Sequence, residues 1–124
     1  MIRYPLGVKQ NKYKNKKTEY RGIKFDSIKE KNRYLILKDM ERLGQIEKLQ
    51  LQVKYELQPS YKIGNKKIRS INYIADFVYY KIYQRGGIEI REQIIEDCKG
   101  YKTQIYKIKK KMFEYKYGME IKET

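Results

Sequence analysis

The elements readable in the chain run helix, three or four strands, helix, strand, an order that defines an α+β sandwich around one central sheet. Three observations lead there. "DSIKEKNRYLILKDMERLG" (26–44) opens with Ser27 and Glu30 at capping-box spacing and ends on Gly44. "LQLQVKYEL" (49–57) alternates apolar and polar residues, as a half-buried strand does. "TQIYKIKKKMFEYKYG" (103–118) is a second helix ending on Gly118.

Each element has its local reason. In the first helix Ile36, Met40 and Leu43 fall at helical spacing and are the expected core stripe. In the strand, Leu49, Leu51, Val53, Tyr55 and Leu57 share one face, and Pro59 ends it. "YKIGNKKI" (61–68) reads as a hairpin about Gly64-Asn65. A strand over 70–80, a turn at "QRGG" (84–87) and a strand over 88–100 follow. The last helix carries Ile105, Ile108, Met112 and Tyr115 along one stripe, and "MEIKE" (119–123) reads as a closing strand. Residues 21–25 form a short strand before the first helix. Residues 1–20 hold six basic side chains and one acid without a period, and read as a basic flexible arm ahead of a domain at 21–124.

The formal net charge is +15, from 30 Lys+Arg against 15 Asp+Glu in 124 residues. So strong an excess points to a polyanionic partner, nucleic acid before membrane. No apolar run reaches the length of a membrane span and none near the N-terminus resembles a signal peptide, so a cytoplasmic location is expected. The chain has one cysteine and no histidine. Internal disulfides, Cys/His zinc sites and histidine bases are thereby excluded, and a metal here would be a hard ion held by oxygen.

Against that charge, "YIADFVYY" and "IIEDCKGYKT" stand out, because each sets a carboxylate inside an apolar strand. Side chains at i and i+2 share a face, so Asp97 and Lys99 point together, with Glu96 and Cys98 opposite. A turn centred on Gly86-Gly87 pairs Asp76 with Asp97 across the two strands. Opposed carboxylates repel and call for a neutralising cation or a raised pKa. Two readings stay open: a divalent ion held by both acids, or solvated edge residues with Lys99 pairing one of them. Glu96 reads as an outward salt-bridge partner and Cys98 as a small buried hydrophobe. The lysines of the last helix (Lys107, Lys110, Lys111), with Lys102, Gln104 and Tyr106 near its start, are candidate contacts to a DNA backbone.

An acid in the first helix, Asp76 in one strand and Asp97-Cys98-Lys99 in the next together resemble the PD-(D/E)xK nuclease superfamily. More closely, "KNKKTEYRGIKFDSIKEKNRY", "YIADFVYY", "EDCKGYKT" and "KKKMFEYKYGMEIKE" resemble a phage-encoded family known as domain of unknown function 1064, over roughly residues 10 to 123. The resemblance implies a restriction-endonuclease-like core, a mixed four-stranded sheet flanked by helices in αβββαβ order. It implies that Asp76, Asp97 and Glu30, with the Cys98 backbone carbonyl, hold one or two Mg²⁺ or Mn²⁺, and that Lys99 serves hydrolysis of a DNA phosphodiester. Glu30 is equally a capping residue, and Asn32 is an alternative ligand on the same helix. Ala75 stands where the family name has proline. Likeness to junction resolvases further implies branched DNA and a homodimer, and likeness to a phage-encoded family implies a phage-infected or prophage-carrying bacterial host. The rival reading is a basic DNA-binding protein without catalysis.

Overall fold

A computed structural model describes residues 17–124. Its elements are β1 (Thr18–Tyr20), β2 (Ile23–Phe25), α1 (Ile28–Arg42), β3 (Ile46–Gln58), β4 (Tyr61–Ile63), β5 (Lys66–Ile68), β6 (Ile71–Arg85), β7 (Ile88–Asp97), α2 (Gln104–Tyr117) and β8 (Ile121–Glu123). Strands β3, β6, β7 and β8 form one four-stranded sheet in that order, and β1–β2 and β4–β5 are separate hairpins. The sheet is mixed: β3, β6 and β7 are antiparallel neighbours, whereas β8 joins β7 in parallel. Parallel neighbours need a long crossover, and α2 supplies it. Without the hairpins, the order is helix, three strands, helix, strand. Most of the expected arm lies outside the described residues, but Thr18–Tyr20 already pair with β2, so the folded part begins within the arm.

The β6–β7 turn fixes the register of the sheet's centre. Arg85 pairs with Ile88 across a two-residue loop, Gly86 and Gly87. Both have positive φ (57° and 76°), the primed-turn geometry that glycine adopts without strain. From there the pairing runs unbroken to Phe77 opposite Glu96.

The two helices cover opposite faces. Tyr79 and its partner Ile94 pack with Leu37, Tyr34 and Met40 of α1. The next pair, Val78 and Ile95, packs with Tyr106, Phe113 and Met112 of α2. Successive strand residues point to opposite faces, so α1 and α2 sandwich the sheet.

Of each stripe that the apolar spacing suggests, only the methionine, Met40 on α1 and Met112 on α2, packs inward. Ile36 of α1 and Leu43 just past its end are exposed, while Leu37 is fully buried and Glu30 is 5% exposed. Ile105, Ile108 and Tyr115 of α2 are exposed, while Tyr106 and Phe113 are buried. The reason is common to both: each inward face carries polar side chains that have partners in the sheet. On α1 these are Glu30 and Arg33, and on α2 Lys110 and the Tyr106 hydroxyl.

The alternation of β3 hides a change of face. Leu49 and Leu51 pack in the α1 cluster, but Val53, Tyr55 and Leu57 pack in the α2 cluster. On β6, Phe77 and Tyr79 belong to the first and Tyr73 and Ala75 to the second. Regular strands would keep each of these sets on one side. The switch falls between Leu51 and Val53 on β3 and between Ala75 and Phe77 on β6, at Gln52 and Asp76. Gln52 has φ 52°, in the left-handed region.

Candidate metal and catalytic site

Three acids and a lysine from three elements meet where the strands change face. The β6–β7 register, carried one step past Phe77–Glu96, sets Asp76 beside Asp97. Asp97 is fully buried. Its Oδ2 accepts from the Tyr73 hydroxyl at 2.6 Å, and its Oδ1 lies 3.2 Å from Lys99 Nζ. That ion pair is off the line of a hydrogen bond, so Oδ1 is a buried acceptor without a donor. Asp76 Oδ2 accepts from the Cys98 amide at 2.9 Å.

Glu30 enters from the first turn of α1. Ser27 caps the helix by accepting from the Glu30 amide at 3.1 Å. The Glu30 carboxylate turns toward the sheet and accepts from Gln52 Nε2 at 3.0 Å. Cap and site therefore use different atoms of the same residue, backbone for one and side chain for the other. Gln52 Nε2 also reaches Asp76 Oδ1 at 3.3 Å, so one amide group bridges two acids. Glu30, Asp76, Cys98 and Lys99, with Asp26, line a cleft of about 230 Å³.

Burial, then the neighbouring charges of Asp76 and Asp26, raises the Glu30 carboxyl to about 7. Burial, then Asp97, raises Asp76 to about 7 as well. Carboxyls raised by folding favour the folded state when protonated, and that contribution is lost as pH climbs through the folded value. The protein in EDTA should therefore melt at lower temperature at pH 8 than at pH 5.5, with Glu30→Gln flattening the trend. A melting temperature independent of pH across that window would show that these acids are not held against their charge.

The other expected site residues are placed as follows. Lys99 lies 4.6 Å from the centre of the Tyr106 ring, a cation–π contact that fixes its amine over the acids. Tyr106 was expected at the DNA backbone. It is instead buried, and its hydroxyl donates to Glu123 at 2.8 Å. Lys102 and Lys110 both reach Glu123 Oε1, at 3.2 and 3.1 Å. Gln104, Lys107 and Lys111 are exposed on α2. Cys98 is half-buried beside the α1 cluster, and burial pushes its thiol up to about 11.

Glu96 is a correction. It does not face outward: it is fully buried and takes a two-pronged salt bridge from Arg33 (2.7 and 2.8 Å) and a bond from the Tyr79 hydroxyl at 2.7 Å. Because helices cover both faces of β7 here, neither side of the strand is outward.

Gln52, Tyr73 and Arg33 are the site's supports that strand and helix patterning does not reveal. Gln52 sat on the polar side of an alternating strand, and nothing local marks a non-glycine residue for positive φ. That conformation costs an L residue about 1–2 kcal/mol. Gln52→Gly is accordingly expected to be more stable than Gln52→Ala by about 1 kcal/mol in urea melts, reversing the usual strand order. Equal stabilities would place Gln52 in ordinary extended backbone.

The fold and site define a class: a mixed α+β protein whose helices sandwich the sheet and whose acids gather with one lysine where the strands change face. The chain belongs to the family described as Protein of unknown function (DUF1064), which matches it over residues 10–124. No curated protein and no solved structure matches it. Among the described residues no helix is long and apolar enough to cross a membrane.

The donor set suits a hard divalent ion. Its oxygens are carboxylate, and Asp97 Oδ1 is an unsatisfied acceptor beside a second acid. Among the described residues no three acidic or thiol side chains stand as a ready-made cage. Mg²⁺ does not require one, since it keeps several waters and takes one or two carboxylates with substrate phosphate.

Proposed function

We propose that the chain is a metal-dependent DNA endonuclease of the PD-(D/E)xK kind on a restriction-endonuclease-like core. The observation that carries this reading is Asp76, Glu30 and Lys99 lining one cleft, with the buried Asp97 beside Asp76 and paired to Lys99, in a protein of net charge +15. A protein built only to bind phosphate gains nothing from three acids at one point, because they repel the ligand.

Asp76 and Asp97 would hold Mg²⁺ or Mn²⁺, joined by Glu30 and the Cys98 carbonyl. An ion bound there supplies Lewis-acid activation of the phosphate and a water acidified toward neutrality. Lys99, steadied by Asp97 and the Tyr106 ring, orients that water and stabilises negative charge on the phosphate oxygens as the water oxygen bonds to phosphorus and the P–O ester bond breaks. Tyr73 holds Asp97 in one orientation, and Gln52 sets the distance between Glu30 and Asp76. Lys107, Lys111 and Gln104 would lie along the DNA backbone. Action on branched DNA, a homodimer and a role in phage recombination, replication or packaging in a bacterial cytoplasm extend the same reading.

A second reading keeps the fold and DNA binding without chemistry. Its support is that Glu30, Asp76 and Asp97 each already have a protein partner in Gln52, Cys98, Tyr73 or Lys99. Incubation with plasmid, linear, single-stranded and four-way-junction DNA, in Mg²⁺, Mn²⁺ or EDTA, separates the two. Metal-dependent cutting of any substrate supports the nuclease, and salt-sensitive binding with no cutting supports the binder.

A further inference from the structure

We infer that the β4–β5 hairpin is a second nucleic-acid contact, an arm that grips double-stranded DNA away from the cut. The inference rests on the reading of DNA as partner and does not depend on cleavage.

The hairpin rises between β3 and β6 as a two-stranded sheet of its own. Residues 59–71 contain Lys62, Lys66, Lys67 and Arg69 and no acid. Among the described residues none of these four cations makes an ion pair. Lys62 stands directly opposite Lys67. Like charges across a strand pair destabilise it, and this hairpin has little else to spend stability on. Tyr61 and Ile63, on the other face, are 44% and 68% exposed. An isolated ribbon that opposes two lysines on one face and sets Lys66 beside Ile63 on the other offers cations on both faces to an anionic surface.

The dimensions fit a duplex. B-DNA's major groove admits a two-stranded ribbon. Five residues of β6 separate Ile71, at the hairpin's base, from Asp76, or about 17 Å of strand. That is about half of one turn of B-DNA, since a full turn advances about 34 Å. With a phosphate at the acids, the hairpin reaches the backbone on the next groove edge. Lys62 and Lys67 then share phosphates, which removes their mutual repulsion.

The test is binding of a labelled 30-base-pair duplex in EDTA, titrated with salt, for the full chain and for Lys62→Gln with Lys67→Gln. Loss of two phosphate contacts lowers the log–log salt slope by about 1.8 and weakens binding by roughly one to two orders of magnitude near 0.1 M salt. The melting temperature stays level or rises, since a repulsive pair is gone, and the double Lys→Arg variant binds as the parent does. Unchanged affinity and slope in the Gln variant would overturn the arm while leaving the nuclease reading intact. Hairpin-dependent binding without metal-dependent cutting would do the reverse. A parent chain that binds no duplex would also overturn the arm, while the nuclease reading would still stand or fall on the cutting assay.

Discussion

Asp97→Asn should leave the protein folded and bound to DNA while lowering metal-dependent cleavage by about a thousandfold. Asparagine keeps the shape of the side chain and can still accept from Tyr73, so the buried position is not emptied. What is lost is the charge beside Asp76, the partner of Lys99, and one anionic ligand of the proposed ion. Glu96→Gln, one residue away, is the internal control. Its side chain lies against α1 and bonds Arg33 and Tyr79, so its effect should fall on stability more than on the chemical step. Rates measured on one preformed complex, with binding measured in EDTA, distinguish the two. Equal losses in both variants would mean that the acids of β7 act only through folding.

Arg33→Ala should destabilise the protein by about 3–5 kcal/mol, the usual cost of leaving one member of a buried ion pair alone. Glu96 is fully buried, and Arg33 supplies two of its three bonds and its counter-charge. In a domain of this size that is a fall in melting temperature of tens of degrees. Arg33 also lies one turn from Glu30, so the bridge ties α1 to β7 at the level of the site. Arg33→Met combined with Glu96→Leu and Tyr79→Phe should recover most of the stability, because the apolar trio removes the stranded charge and leaves no buried hydroxyl without an acceptor. A single Arg33→Ala variant as stable as the parent would show that Glu96 finds water or another donor.

How much of this was legible in the sequence differs residue by residue. The Asp76–Asp97 juxtaposition was, because Gly86-Gly87 dictates a two-residue turn and a turn of known length fixes every pair behind it. The two helices were legible as helices but not in orientation. Apolar spacing picked Ile36 and Leu43, or Ile105 and Ile108, over faces that begin with Glu30, Arg33 and Tyr106. A face whose polar residues have partners elsewhere in the fold looks like a solvent face until those partners are known. Glu96 was misplaced for the same reason. Gln52 was not legible at all, since its role comes from a left-handed backbone residue that turns an alternating strand over between Leu51 and Val53.

The most direct measurement of the central claim is titration of Mn²⁺ into the protein with a duplex bound, followed by calorimetry, in the parent and in Asp76→Asn. The account predicts one or two saturable ions in the parent, with proton release below pH 7 as Glu30 and Asp76 ionise, and loss of that binding in the variant. Saturable Mn²⁺ binding that survives Asp76→Asn unchanged, or no binding in the parent, would contradict it and return the three acids to structure.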